Sequence, residues 1–226
     1  GDDAMLPLRG PFADQDSFES GVAKKPVWFE VENVLGWTEK ASFPLLPEDP
    51  RSVKAFQQMN EFPSLSEDVG DWVVTPCTQL NAGTDKAKDD GTRLMHFVDD
   101  PPDGYWPVMK GSSFDNWKPD TGEVYGWADP DVMTEYLQEK RENSYRYAGS
   151  RSAFSEMPKE WIEDKSTLPC YHPRIAFRDV SRATDSRTMR VSLVAPNRFL
   201  TDKAPYFVWS RGRKTDEAFL LGVLSS

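Results

Sequence analysis

The sequence predicts an α+β fold, in which a mixed, mostly antiparallel sheet is flanked by helices and long loops. Segments of strand character and segments of helical periodicity follow one another without the regular alternation of a parallel α/β protein. The 226 residues include 18 prolines and 14 glycines, which divide the chain into short elements. A chain of this length forms one large domain or two small ones.

Short strands dominate the first half of the chain. Residues 1–26 are polar and acidic, which is typical of a linker or flexible arm, and the folded domain is expected to span residues 27–226. Hydrophobic side chains alternate or cluster in four segments that predict strands: 27–31, 72–74, 93–98 and 105–111. Between them Pro50 suits the first position of a helix, with Val53 and Phe56 on its apolar face.

The second half carries the strongest helix signal. Asp129 is an N-cap residue and Pro130 suits the first turn, so a helix is predicted from here to about Tyr147, with Gly149 ending it. The remaining elements are a short helix at 159–164, strands at 174–180, 189–194 and 206–210, and a last helix that opens at 215–217.

The net charge of -10 argues against nucleic-acid binding by the chain as a whole, but the charges are unevenly placed. Residues 165–226 carry 11 Lys and Arg against 5 Asp and Glu, whereas the other 164 residues carry 16 against 32. A basic surface is the electrostatic footprint of a nucleic-acid partner. The basic region is therefore the candidate DNA-facing part, and the acidic remainder either repels DNA or faces a partner domain.

Other features of the chain predict a cytoplasmic protein. No apolar run is long enough to cross a membrane and the N-terminus lacks a signal peptide, so no membrane partner is expected. Cys77 and Cys170 lie far apart in sequence and are most simply reduced thiols. Since the chain begins at Gly1 and stops in an apolar helical stretch, we expect an excised fragment of a larger protein.

The most informative segment is PRIAFRDVSRATDSRT at residues 173–188. Its four arginines carry rigid forks of donors that suit phosphates and guanine edges. Strand alternation predicts that Arg174 and Arg178 face outward while Ile175 and Phe177 face the core. Further arginines extend this basic surface through a turn: Arg182, Arg187 and Arg190. An ordinary solvated face with surface ion pairs is the alternative.

A second candidate contact is Lys110, which with Gly111 follows a predicted strand. Such a turn offers a cation and backbone N–H groups to a phosphate, although Lys-Gly pairs are also common in ordinary turns. Aromatic residues accompany it in the same loop-rich stretch: Trp106, Trp117, Tyr125 and Trp127. They either stack on bases or form a local core beneath the loops.

No catalytic residue and no metal ligand is predicted. Residues 99–103 (DDPPD) carry two prolines after an acid, as amino-methyltransferase sites do, but Asp103 stands where those sites need an aromatic side chain. A nuclease-like match of Asp131 with residues 163–165 (EDK) is expected by chance, because Asp131 belongs to a helix start. A zinc site is not expected either, because zinc sites usually show short paired spacings, and only Cys170 and His172 are close among Cys77, His96, Cys170 and His172.

Four segments resemble the target-recognition region of type IIG-like and phage-defence adenine-specific DNA methyltransferases, which are restriction–modification enzymes. The arginine segment and the LVAPN that follows at 193–197 carry most of the likeness. The other three are QLNAGTDK at 79–86, PVMKGSSF at 107–114 and FLTDKAPY at 199–206. Their order and spacing match the family across residues 70–226, although Gln79 and Lys110 each replace an acidic residue of its pattern.

The resemblance implies that the chain recognises DNA sequence for an adenine-N6 DNA methyltransferase that uses S-adenosylmethionine. The cofactor would belong to the catalytic domain of the same parent chain, with or without a restriction endonuclease, and the fragment itself would bind no cofactor. This piece would hold double-stranded DNA while the catalytic domain flips the adenine. The residues expected at the DNA are Lys110, Arg174, Arg178, Arg182, Thr184, Arg187 and Arg190.

Two other functions are compatible with the residues. One is a protein–protein docking module of a defence complex, whose acidic half binds a basic partner. The other is an independent magnesium-dependent nuclease, which would depend on Glu163 and Lys165. The arginine segment favours DNA recognition over both.

Overall fold

The structure is a computed structural model that describes residues 4–10, 12, 14–36, 50–59, 61–63, 65, 67–68, 70–181, 185, 187 and 189–226. The chain divides into two units, Gly1–Ser64 (unit 1) and Leu65–Ser226 (unit 2). Helices and antiparallel strands occur in both, so the predicted α+β class is confirmed. Within the described ranges, none of the helices has the length and apolarity needed to span a bilayer.

The described residues of unit 1 form two strands and three helices: β1 (Met5–Leu8), α1 (Gln15–Val22), β2 (Val27–Glu30), α2 (Val31–Gly36) and α3 (Pro50–Met59). The prediction of a linker over residues 1–26 is corrected here, because β1 pairs antiparallel with β2 and Leu6 packs against the buried Phe29. The acidic Asp14 caps α1 by accepting a hydrogen bond from Ser17 N at 2.8 Å. Helix α3 begins at Pro50 as predicted, and the side chains of Val53 and Phe56 lie outside the described part of the chain.

Two sheets are formed by the described residues of unit 2. The larger one has the strand order β3-β9-β6-β7 with antiparallel neighbours, formed by β3 (Val73–Cys77), β6 (Arg174–Phe177), β7 (Val191–Val194) and β9 (Tyr206–Arg211). The smaller one has the order β5-β4-β8, formed by β4 (Trp106–Met109), β5 (Gly126–Ala128) and β8 (Phe199–Leu200). Strand β8 runs parallel to β4, so the sheets are mixed and mostly antiparallel.

Helix α4 (Pro130–Ala148) is the longest described helix of unit 2, and its start confirms the prediction. Asp129 accepts hydrogen bonds from Asp131 N and Val132 N, and Gly149 follows the last turn. Helices α5 (Lys159–Glu163) and α6 (Lys214–Ser225) complete the unit.

The strand predicted at residues 93–98 is not formed. Leu94 and Met95 are consecutive buried residues, whereas a strand with one exposed face would alternate. Around them, only isolated bridges join Arg93 to Ala87 and His96 to Trp127. The apolar pattern therefore marks a core-facing loop.

The larger sheet is covered on both faces. Ala176 of β6 packs in one hydrophobic cluster with Tyr206, whereas its neighbour Ile175 packs in another with Phe207 and Leu220 of α6. Strand β6 lies between β9 and β7, so neither its edges nor its faces are free. Arg174, the first residue of β6, is therefore surrounded by other parts of the protein.

Candidate nucleic-acid interface

The four segments that carry the family resemblance meet in unit 2. Each is tied to another by a hydrogen bond from the backbone: Leu200 N to Gln79 Oε1 (2.8 Å), Thr201 N to Met109 O (2.9 Å), and Phe177 N to Pro205 O (2.8 Å). Residues far apart in sequence therefore share one structure.

Gly111 lies at the closest approach of three of these segments. A Cβ atom built on it would lie 2.6 Å from Lys203 O and 3.4 Å from Arg178 Cγ. The first distance is shorter than real Cβ contacts allow, so the position requires glycine for space. Of the Lys-Gly pair that the sequence singled out, the glycine is therefore a packing requirement at this junction.

Asp115 is the centre of a group that we call the Asp115 cluster, formed by Asp115, Arg178 and Arg190. Arg190 Nη1 donates to both carboxylate oxygens at 2.9 and 2.7 Å, and Arg178 Nη2 lies 3.8 Å from one of them. Burial opposes ionisation of Asp115, but the Asn116 amide and the two guanidinium groups outweigh it and hold the pKa of this carboxyl below its usual range.

A tight turn joins the Asp115 cluster to an exposed tryptophan. Asp115 N donates to Lys118 O at 2.8 Å and Lys118 N donates to Asp115 O at 2.9 Å. The Asn116 side chain accepts from Val191 N at 2.7 Å, which fixes the turn to β7. Trp117 at the tip is 72% exposed and has a φ of 60°, a left-handed conformation that costs a non-glycine residue about 1–2 kcal/mol.

Arg174 does not belong to this interface, and its predicted DNA contact is corrected. It is 5% exposed and donates to Pro169 O at 2.9 Å and Arg198 O at 2.8 Å, with its guanidinium 5.4 Å from the centre of the Tyr206 ring. Alternation along β6 misled the prediction, because both faces of this central strand are covered. Arg174 is a structural residue that satisfies buried backbone carbonyls.

The other predicted contacts have mixed environments. Arg178 and Arg190 are half-buried in the Asp115 cluster, and Arg178 also donates to Phe114 O at 3.1 Å. Lys110 Nζ lies 3.8 Å from Glu123 Oε2, and the exposed Arg187 donates to Ser225 O and Ser226 O. Arg182 and Thr184 lie outside the described residues.

Sequence reasoning missed Lys118 and Asn116. Lys118 is exposed, and its side chain forms no ion pair with any residue in the described ranges. Proximity to Trp117 in the sequence was the only signal that would have found them.

The residues considered for catalysis are dispersed. Residues 99–103 form an exposed turn, apart from the half-buried Pro101, without an aromatic side chain at position 103, so they do not fit the adenine pocket of a methyltransferase. Glu163 pairs with Lys159 at 3.4 Å, and Lys165 pairs with Glu135 at 3.3 Å, so these two do not form a nuclease site with Asp131. Over the part of the chain that the structure describes, no three His, Cys, Asp or Glu side chains are grouped to hold a metal ion.

Comparison with known proteins gives no functional assignment, so the assignment depends on the geometry of this interface. No family model, curated protein or solved structure matches the chain.

Proposed function

We propose that unit 2 is a DNA target-recognition module of an adenine-N6 DNA methyltransferase from a restriction–modification or phage-defence system. One observation carries the proposal: hydrogen bonds join the four family-like segments in unit 2, and two of them, residues 107–114 and the arginine segment, meet at the Asp115 cluster beside an exposed tryptophan. In this proposal S-adenosylmethionine and the catalytic groups belong to another domain of a cytoplasmic parent chain, which is the second partner of the module besides double-stranded DNA.

Each part of the interface has a distinct role on the duplex. Lys110 and Lys118 approach phosphates, because a flexible ammonium group binds them as a point charge. Trp117 stacks on a base or enters a base step, as apolar side chains do in proteins that unstack DNA. Arg178 and Arg190 are oriented by Asp115, so their remaining donors present fixed directions to the grooves.

Duplex binding across a salt series tests the proposal. We expect the affinity of the 226-residue chain for a pool of duplexes to fall with salt, and the slope against the logarithm of salt to become shallower by about 1 in Lys118→Ala. Trp117→Ala is expected to weaken binding about 5- to 150-fold with an unchanged slope, because stacking contributes about 1–3 kcal/mol per base. Lys159→Ala on α5 is the matched control and should bind normally.

Absence of duplex binding by the folded chain at low salt would contradict the proposal. So would equal affinities for the Trp117→Ala, Lys118→Ala and Lys159→Ala variants, because binding would then not use this interface.

Docking onto a basic protein is the second candidate, and a group of exposed acidic residues in unit 2 favours it. They are Asp89, Asp90, Asp99, Asp100 and Asp103. If these carboxylates face a protein, changing three of them in D99N/D100N/D103N abolishes that complex and leaves duplex binding intact or stronger. If DNA is the partner, the Lys118 and Trp117 variants lose binding instead.

A further inference from the structure

A cavity of about 310 Å³ lies between α4 and the edge of the larger sheet, away from the residues assigned to DNA. Three cationic side chains line it: Lys140, Arg141 and Arg151. Thr78 and Ser144 also line it, and the Ser144 hydroxyl shares a hydrogen bond of 2.9 Å with Ser152 Oγ. None of the residues that line the cavity, all of them described, carries a carboxylate.

Arg141 is a buried charge that forms no ion pair within the described part of the chain. It is 3% exposed, and its guanidinium donates to the neutral oxygens of Thr167 (2.8 Å) and of the Asp164 backbone (2.9 Å). Its Nε has no hydrogen-bond partner among the described residues, and no described carboxylate lies within ion-pair distance of it. A buried charge with only neutral partners is poorly compensated.

A second buried arginine lies directly behind the wall. Arg174 donates to Pro169 O and to Gln79 Oε1 (3.4 Å), and both of these residues line the cavity. Its described partners are neutral, as those of Arg141 are. Two guanidinium charges, one on a lining residue and one hydrogen-bonded to lining residues, are therefore without an ion-pair partner among the described residues.

The other polar groups of the wall do not neutralise this charge. Lys140 Nζ lies 2.5 Å from Asp85 Oδ2, so the Asp85 carboxylate neutralises Lys140 and not the arginines. The Cys77 thiol is protonated, because burial raises its pKa to about 11 against the weaker effect of its cationic neighbours. The cavity is thus electropositive in a chain of net charge -10.

We propose that this cavity binds a small phosphate ester of about mononucleotide size, with the phosphate held by Arg141 and Arg151. A phosphate dianion supplies the missing countercharge and accepts hydrogen bonds from guanidinium and hydroxyl donors, which Thr78 and Ser144 provide. The cavity volume lies at the lower end of small-ligand sites. The proposal is independent of the DNA interface, since none of its residues belongs to the Asp115 cluster.

Calorimetric titration of the 226-residue chain with adenosine 5′-monophosphate tests the site, with adenosine as the uncharged control. We expect the nucleotide but not adenosine to bind. Arg151→Ala is expected to weaken binding at least about tenfold, because one charged contact is lost. Arg146→Ala, an exposed arginine of α4 that does not line the cavity, should bind as the unchanged chain does.

A pair of substitutions at Thr78 keeps the test independent of folding. Thr78→Glu places a carboxylate on the wall, so we expect it to raise the melting temperature and abolish nucleotide binding. Thr78→Gln has similar size without charge, so we expect it to bind the nucleotide more tightly than Thr78→Glu does. Equal binding by the two variants would overturn the proposal.

The source of the phosphate is distinguished by further ligands. A short single strand with a 5′-phosphate, the same strand with a 5′-hydroxyl, and inorganic phosphate are titrated in parallel. Binding of either the nucleotide or only the 5′-phosphorylated strand supports the site and identifies its source. No binding of any phosphate at about 10 mM would refute it.

Discussion

At the scale of single residues, burial decides which arginine is available to a ligand. Arg174 and Arg178 are four positions apart in the same basic segment, yet Arg174 satisfies carbonyl groups in the core and Arg178 reaches a surface cluster. The sequence pattern cannot distinguish these two arginines, because they carry the same charge and alternation places them on the same face. They differ only in the structure that surrounds them. The predicted surface role was therefore wrong for Arg174.

Removing Arg174 should therefore destabilise the protein. Arg174→Ala leaves the carbonyls of Pro169 and Arg198 without their donors, so we expect the free energy of unfolding to fall by about 2–4 kcal/mol. Urea denaturation followed by tryptophan fluorescence measures this. Arg187→Ala, at an exposed position, is the control, and an equal effect of both changes would contradict the structural role.

The two cysteine thiols should react slowly in the folded protein. Burial raises the pKa of both Cys77 and Cys170 from 9.0 to about 11, so the thiolate fraction at pH 8 falls about 100-fold. Titration with a chromogenic disulfide reagent should show little reaction until urea is added. Fast modification of either thiol in the native protein would contradict this expectation.

The same shift makes stability depend on alkaline pH. The unfolded thiols ionise near pH 9.0, whereas the buried ones keep their protons up to about pH 11. The stabilising contribution is therefore complete below pH 9 and is lost as the pH rises towards 11. Urea midpoints at pH 8 and pH 10 should differ less in Cys77→Ala/Cys170→Ala than in the unchanged chain.

At the scale of elements, the sequence predicts a helix start that depends on adjacent residues. It does not predict strands that form only when a distant segment pairs with them. The start of α4 depends on the side chain of Asp129 and the fixed φ of Pro130, which are local properties. Residues 93–98 have the apolar content of a strand but do not form one. Strand β1, hidden in a polar segment, exists because β2 pairs with it. Of the candidate site, the sequence located Lys110, Arg178 and Arg190, but the carboxylate Asp115 that Arg178 and Arg190 share required the fold.

Two glycine substitutions should have opposite effects on stability. Gly111→Ala places a Cβ 2.6 Å from Lys203 O, so we expect a loss of about 1–3 kcal/mol in the free energy of unfolding. Gly222→Ala lies within α6, where a Cβ meets nothing within 4 Å, so alanine should stabilise the helix by about 0.5–1 kcal/mol.

Thermal melting of both variants gives the measurement. The tight junction at Gly111 would be refuted if its alanine variant melted at or above the temperature of the unchanged chain.

At the scale of the whole molecule, the hydrophobic clusters respect the division into two units. Among the described residues, one cluster, centred on Phe29 and Val34, belongs to unit 1, and three belong to unit 2. The predicted boundary after residue 26 would have separated the paired strands β1 and β2. Composition suggested that boundary because residues 1–26 are acidic, but composition does not report pairing.

Unit 2 should accordingly fold without unit 1. We expect a fragment of residues 65–226 to unfold cooperatively in circular dichroism and to bind duplex DNA with the salt dependence of the longer chain. Gradual loss of signal without a transition would show that its core needs residues 1–64. Retained folding with lost duplex binding would place DNA contacts in unit 1.

The place of β3 in its sheet also has a consequence for how the protein reaches its fold. Strand β3 is an edge strand that pairs with β9, the last strand of unit 2, so nearly the whole unit is synthesised between them. This long-range pairing raises the contact order of the unit, which slows folding. On the ribosome β3 stays unpaired until β9 has emerged. Nascent chains therefore expose an open strand for an extended time, and aggregation during synthesis becomes the main competitor of folding.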